Sequence, residues 1–108
     1  MCSPFRKPVG PLVPETVVVF RKWKDGDVIA LFPEVPADRA GILCLSYERV
    51  GQHGGADYQG VVHETKPATE AEYQALAEEL KRAGYNLRPV KRASRKHYET
   101  LLAEARRQ

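Results

Sequence analysis

Two runs of β-branched and aromatic residues flank an Asp25-Gly26 dipeptide, and this arrangement constrains the fold more than any other segment. Residues 16–23 contain three consecutive valines, a phenylalanine and a tryptophan, and residues 28–32 are again apolar. Side chains of this kind fill a pleated surface well. Asp-Gly between two such runs tolerates the positive φ angles of a tight turn. The sequence therefore predicts an antiparallel β-hairpin.

Two further strands are predicted after this hairpin. Residues 42–50 alternate between apolar and polar positions, which is typical of a strand with one wet face. Residues 58–65 hold Val61 and Val62 at their centre, and we expect them to complete an antiparallel meander. The glycine-rich residues 51–60 are predicted to form the loop between these two strands.

A helix is predicted where the hydrophobic period changes, over residues 69–84. Thr69 and Glu72 have the capping-box spacing, in which each side chain bonds to the backbone of the other residue. Gly84 is suited to the left-handed conformation that often ends a helix. Between these signals, apolar residues recur at helical spacing along one side.

An edge strand and a second helix complete the predicted order. Residues 85–92 contain Pro89, which cannot donate to a sheet ladder, so we expect a short edge strand. Ser94 is predicted to cap the C-terminal helix. The predicted fold is α+β, a four-stranded antiparallel meander followed by a helix, a short edge strand and a C-terminal helix (β-β-β-β-α-β-α). The predicted core comprises Val18, Phe20, Ile29, Leu31, Leu43, Leu45, Val61, Leu76, Leu80, Leu87 and Leu101.

The length of 108 residues fits a single domain, predicted at residues 15–108 after a proline-rich arm at residues 1–14. Hydrophobic residues at 43% and charged residues at 29% are ordinary values for a globular chain. Cys2 and Cys44 do not form a disulfide framework and suit a reducing compartment. Residues 1–8 do not have the charged-then-apolar pattern of a leader, and the sequence holds no long apolar stretch, so we expect no export and a cytoplasmic protein without a membrane partner.

The glycine loop carries the first candidate site. His53 and Asp57 are candidates for proton transfer, with Tyr58 or His63 assisting. The same His53, Asp57 and His63 are candidate ligands for a divalent metal, with Glu64 as a fourth ligand or a base. On a strand, however, His63 and Glu64 would point to opposite faces, so both cannot serve one centre. The alternatives are anion binding by the loop amides, or a plain turn without a cofactor.

Basic residues form the second candidate site. The formal net charge is +3 with a sequence pI near 9.0, but residues 91–108 alone carry six Lys or Arg against two Glu. Such a surface can bind phosphates by charge and bases by aromatic stacking. The alternative is a solvated helix start without a binding role. The candidate binding residues are Lys91, Arg92, Arg95, Lys96, Arg21, Lys24 and Trp23.

Residues 17–33, together with the Cys44-Leu45-Ser46-Tyr47 segment and the Gln52-His53-Gly54 segment, resemble a group of short uncharacterised bacterial proteins. The likeness runs from about Val17 to Arg92. It implies an autonomous folding unit, and it implies no activity, cofactor or catalytic residue.

The sequence favours a small accessory or binding module whose partner is nucleic acid or an acidic protein surface. Binding is expected here in preference to catalysis. One alternative is a small hydrolase or nuclease that uses His53 and Asp57, by metal or by acid–base chemistry. Another is a homodimer in which an exposed sheet edge pairs with its twin.

Overall fold

A six-stranded sheet forms the centre of the computed structural model, which describes residues 15–48 and 52–107. In chain order the elements are β1 (Thr16–Lys22), β2 (Val28–Pro36), β3 (Cys44–Glu48), β4 (Gln52–Ala56), α1 (Tyr58–Glu64), β5 (Lys66–Pro67), α2 (Glu70–Arg82), β6 (Leu87–Pro89) and α3 (Arg95–Arg106). The strands follow the order β4-β3-β2-β1-β5 across the sheet, and β6 also pairs with β1. The predicted arm at residues 1–14 lies outside the described residues.

The predicted hairpin is confirmed by strands β1 and β2. They pair antiparallel, with Val19 opposite Leu31. Gly26 has a φ of +98° in the connecting turn, where the Trp23 amide donates to the Asp27 carbonyl at 2.8 Å. Glycine adopts this left-handed conformation without strain, which explains why the Asp-Gly signal locates the turn.

Strand β4, Gln52–Ala56, occupies half of the predicted glycine loop at residues 51–60. It pairs antiparallel with β3, which confirms the predicted third strand, and it places Gly54 opposite Ser46 and His53 opposite Tyr47. Neither Gly54 nor Gly55 has a positive φ. These glycines are therefore extended strand residues, and the prediction that they form a loop is wrong.

Helix α1 occupies the segment for which a fourth strand, residues 58–65, is predicted, so that prediction is also wrong. The Val61 amide donates to the Asp57 carbonyl at 2.9 Å and closes the first helical turn. Adjacent valines favour a strand by intrinsic propensity. Here, however, Tyr58, Val61 and Val62 recur at helical spacing and pack on one core cluster, and this burial favours the helix.

The predicted edge strand is confirmed as β6, and a two-residue strand that is not predicted, β5, joins the same edge. β6 runs parallel to β1, with Leu87 opposite Thr16. β5 runs antiparallel to β1, with Pro67 opposite Arg21. The chain is therefore more elaborate than a meander with one added strand, since two separate segments complete the outer side of β1.

Helix α2 confirms the predicted capping box. The Glu72 amide donates to Thr69 Oγ1 at 3.3 Å, and the Thr69 amide donates to Glu72 Oε1 at 2.8 Å. Gly84 follows the helix with a φ of +107°. Helix α3 begins after Ser94 as predicted, and the Ser94 amide donates to His97 Nδ1 at 3.0 Å. A bilayer-spanning helix is absent from the described residues, since every helix there is too short or too polar.

Helices cover both faces of the sheet. On one face α2 packs on a cluster that includes Phe20, Phe32 and Leu80. On the other face α1 and α3 cover a cluster that includes Leu31 and Leu101. Successive side chains of a strand point to opposite faces, so β1, β2 and β3 each contribute to the core clusters on both faces of the sheet. The predicted mixed α+β class is confirmed, with helices, sheet and helices as its three layers. Four predicted core residues are half-buried, namely Leu43, Leu45, Val61 and Leu87, and the others are buried.

Candidate functional site

A cavity of about 510 Å³ opens between the start of α1 and the start of α3. This volume lies in the range typical of ligand sites. Cys44 and Leu101, which are buried members of the underlying core, lie at its base. Its walls include residues 41–42 before β3, residues 57–59 at the start of α1 and residues 93–95 at the start of α3. We call this cavity the α1/α3 groove.

Two contacts hold the walls of the groove together. The Tyr58 hydroxyl accepts a hydrogen bond from the Ala93 amide at 2.7 Å, which joins the first residue of α1 to the segment before α3. Gly41 is buried with a φ of +73°, and a Cβ atom there would lie 2.9 Å from Leu102 Cδ2. Glycine fits both this backbone conformation and the close approach of α3.

Two large apolar side chains are exposed at the groove. Ile42 is 70% exposed and Tyr98 is 55% exposed, and these are the large hydrophobic residues that stand out as exposed in the described part of the chain. Both line the groove. Single exposed apolar residues need no explanation, but two that share one concave surface are typical of a contact site.

Basic residues lie at the groove or near it in the chain. Arg95, the first residue of α3, lines the groove. Lys91, Arg92 and Lys96 are exposed and lie close to Arg95 in the chain. The ion pairs formed among the described residues involve none of these four cations. Of the predicted binding residues, Arg95 therefore lines the groove, and Lys91, Arg92 and Lys96 are exposed positions within four residues of it in the chain.

The other predicted binding residues lie in different settings. Arg21 is only 8% exposed, and its guanidinium donates to the Val62 and Thr65 carbonyls at 2.9 and 2.7 Å. It thereby binds the last turn of α1 to β1 and is directed into the fold. Trp23 is half-buried and packs on the core beneath α1, whereas Lys24 is exposed in the hairpin turn.

The predicted acid–base pair, His53 and Asp57, lies on opposite faces of the sheet. His53 Nε2 is 2.9 Å from Tyr85 Oη, and its ring packs edge-on against Tyr47 with 4.7 Å between centroids. Tyr47 and Tyr85 belong to the cluster on the α2 face. Asp57 lines the α1/α3 groove on the other face. The structure therefore does not bring these two side chains together.

The predicted metal ligands are also separated. Asp57 precedes α1 and His63 lies in its last turn, so about 9 Å of helical rise separates them. Glu64 is exposed at the end of the same helix. Among the described residues, no group of three or more His, Cys, Asp or Glu side chains is placed to hold a metal ion.

Cys44 at the base of the groove is a poor nucleophile. It is 1% exposed, and burial raises the pKa of its thiol to about 11. The thiolate is the reactive form of cysteine. At neutral pH this side chain is therefore protonated and acts as a small apolar residue of the core.

No family model matches the chain, and the searches of curated proteins and of solved structures also find no match. The functional argument therefore rests on the residues of this chain. Sequence reasoning missed the groove because its apolar rim, Ile42 and Tyr98, comes together only when α3 packs beside the segment before β3. The signal in the sequence was limited to one wall, the run of cations at residues 91–96.

Proposed function

We propose that the protein is a cytoplasmic accessory module that binds an acidic segment of a partner protein in the α1/α3 groove. The observation that carries this proposal is that Ile42 and Tyr98, both more than half exposed, line one cavity beside Arg95. Protein interfaces commonly combine an apolar centre with a polar rim, and Tyr and Arg are frequent among the residues that dominate binding. A segment with an apolar residue for Ile42 and Tyr98 and a carboxylate on the Arg95 side, away from Asp57, would match the groove.

The cations at residues 91–96 supply the electrostatic part of the proposal. All four of them are exposed, and they lie in the first turn of α3 and the bend before it. A cluster of one sign steers an oppositely charged partner and raises the association rate. Charges at the rim of an interface also make this rate depend on salt.

Nucleic acid is the second candidate partner, since the same four cations match a phosphate backbone. Proteins that bind single strands add aromatic side chains on which successive bases stack. Trp23 is half-buried against the core, and the Tyr58 hydroxyl is bonded to the Ala93 amide. One exposed ring, Tyr98, beside an apolar cavity fits a peptide better than a nucleotide chain.

The hydrolase or nuclease alternative has less support. It needs His53 and Asp57 in one site, and these residues lie on opposite faces of the sheet. His53 bonds instead to Tyr85. No distance or contact among the described residues favours acid–base catalysis over a structural role for this imidazole.

The test uses a displayed library of short peptides rich in Asp, Glu and Leu, with labelled oligothymidylate as the nucleic-acid probe. Selected peptides should lose affinity by about tenfold on Ile42→Ala or Tyr98→Ala, which corresponds to about 1.4 kcal/mol per contact. Peptides that bind both variants as tightly as wild type would contradict the proposal that they bind in the α1/α3 groove. Oligothymidylate that binds in preference to every peptide would favour the nucleic-acid alternative.

A matched pair of variants tests the electrostatic part. Lys91→Ala/Arg92→Ala removes an exposed Lys-Arg pair that directly precedes the groove residue Ala93, and Lys81→Ala/Arg82→Ala removes an exposed Lys-Arg pair from α2, where Lys81 pairs with Glu78. The first variant should slow peptide association and weaken its salt dependence, while the second should change neither. Equal effects of the two variants would show that net charge alone governs the association.

A further inference from the structure

The two edges of the sheet differ in how they are protected against further pairing. One edge is formed by β5 and β6, where Pro67 and Pro89 accompany Lys66 and Arg88. Proline cannot donate to an added strand, and charged side chains disfavour burial of an edge, so natural sheets use both to block pairing. The other edge is β4, Gln52–Ala56, which contains no proline, lysine, arginine or carboxylate.

The register of the sheet shows which backbone groups of β4 point outward. The Phe20 carbonyl accepts a hydrogen bond from the Ala68 amide on the outer side of β1. The backbone groups of the even-numbered residues of β1 therefore point outward, and those of the odd-numbered residues bond to β2. The backbone groups of successive residues point alternately to the two sides of a strand. Following the paired residues from β1 through β2 to β3 shows that the amide and carbonyl of Ser46 point toward β4 and that those of its partner Gly54 point toward β3. The outward amide and carbonyl groups of β4 are therefore those of His53 and Gly55.

These outward groups have no strand partner within the described chain. Residues His53, Gly54 and Gly55 are all exposed, and β4 ends the order of paired strands. An exposed edge strand is a template for pairing with another chain unless the sequence protects it. The contrast with the proline-bearing edge indicates that β4 is the edge that accepts a partner.

We propose that β4 pairs antiparallel with β4 of a second copy of this chain, with the two-fold axis at Gly54. In this register His53 of each copy stands opposite Gly55 of the other, and each such pair exchanges two backbone hydrogen bonds. The outward amides and carbonyls of both β4 strands are then all hydrogen-bonded. The imidazole meets a glycine, and no like charges are opposed. Such a self-complementary contact is the usual form of a two-fold dimer, and it is independent of the α1/α3 groove.

Substitution at the axis tests this register directly. A Cβ atom at Gly54 would meet only Ser46 Oγ, at 3.6 Å, which is an ordinary contact. Gly54→Lys or Gly54→Glu would place two like charges directly opposite each other in the dimer, which is destabilising. Gly54→Ala adds no charge and is the control.

The measurement is light scattering on the full chain after size-exclusion chromatography, over a series of concentrations. Wild type and Gly54→Ala should reach about twice the chain mass of 12.1 kDa. Gly54→Lys and Gly54→Glu should each stay at the monomer mass, and an equimolar mixture of the two should recover the dimer. Wild type that stays monomeric at the highest soluble concentration would overturn the proposal. So would a dimer that both charged variants leave intact.

A second pair of variants tests the backbone contribution, and it applies even if the charged variants fold poorly. His53→Pro removes the outward amide of residue 53, while His53→Ala keeps this amide, and both remove the imidazole that contacts Tyr85. We expect His53→Pro to be monomeric and His53→Ala to be dimeric, with similar circular dichroism. Two variants with the same mass would overturn pairing through β4.

Discussion

The Tyr58 hydroxyl accepts a hydrogen bond from the Ala93 backbone amide at 2.7 Å, and this bond connects helix α1 to the segment that leads into α3. The Tyr58 ring packs on the core beneath the two helices. One phenol therefore fixes the spacing of two walls of the groove. The position of the Arg95 wall relative to α1 depends on this contact.

Tyr58→Phe should lower the free energy of unfolding by about 1 kcal/mol, because it leaves the partly buried Ala93 amide without its acceptor. Urea denaturation followed by circular dichroism measures this change. Tyr98→Phe removes the same atom from an exposed ring and should change stability by less than about 0.5 kcal/mol. Similar losses in the two variants would argue against a specific role for the hydrogen bond.

Arg21→Met should destabilise the fold by about 3 kcal/mol, because the Val62 and Thr65 carbonyls lose a charged donor at the end of α1. The control is Arg82→Met on the exposed side of α2, which should change stability by less than about 0.5 kcal/mol. Denaturant unfolding gives both values. If Arg21→Met kept full stability but lost affinity for oligothymidylate, the binding role predicted from the sequence would replace the structural one.

Gly41→Ala should cost more stability than Gly26→Ala. Both glycines have a positive φ, so each substitution carries a backbone cost of about 1–2 kcal/mol. At Gly26 nothing lies within 4 Å of the added carbon, whereas at Gly41 it would lie 2.9 Å from Leu102 Cδ2. This close contact should add to the cost measured in chemical denaturation, by an amount set by how freely the Leu102 side chain can turn. Equal costs would mean that this side chain moves away from residue 41 without penalty.

Glu72 should make stability depend on pH in the acid range. A hydrogen bond from Lys22, supported by the Thr69 amide, lowers the pKa of Glu72 to about 2. Because this folded-state pKa lies below the ordinary unfolded value of about 4.3, ionised Glu72 stabilises the fold above that value. The contribution is lost as the pH falls from about 5 to about 2.

Thermal unfolding of Glu72→Gln should therefore show a shallower loss of stability over this acid range than wild type. The difference should be modest and should shrink in high salt, since both partners contact water. Glu78→Gln, an exposed carboxylate on the same helix, should keep the wild-type slope. If stability depended on pH as weakly in Glu78→Gln as in Glu72→Gln, the effect would come from the net charge of the protein and not from the contact with Lys22.

Signals between neighbouring residues predict part of this fold well. Gly26 locates the hairpin turn, and Thr69 with Glu72 locates the start of α2, because each acts on backbone groups within a few residues. The segment of α1 is predicted as a strand because the β propensity of its adjacent valines outweighs the helical spacing of Tyr58, Val61 and Val62 in so short a segment. The helix is favoured by the contacts of these residues with the distant core, which no window of the sequence contains.

The candidate site, like the fold, could be predicted from the sequence only where its residues are neighbours in the chain. The run of cations at residues 91–96 is visible in the sequence, since those residues are neighbours. That Ile42 and Tyr98 line the same groove is not visible in the sequence, since it depends on how α3 lies across the sheet. The inward direction of Arg21 follows from strand alternation, because Arg21 faces the same side as the buried Val19.

Strand β1 has consequences for how the chain reaches this structure. It pairs with β2 directly after it, but its outer side is completed only by Pro67 in β5 and by β6, which begins at Leu87. During synthesis the hairpin therefore emerges long before the segments that complete it. Pairing between distant segments slows folding, and an open edge in the interval invites contact with other nascent chains. Pairing of residues 87–89 with β1 is thus the step that closes the last open part of this edge.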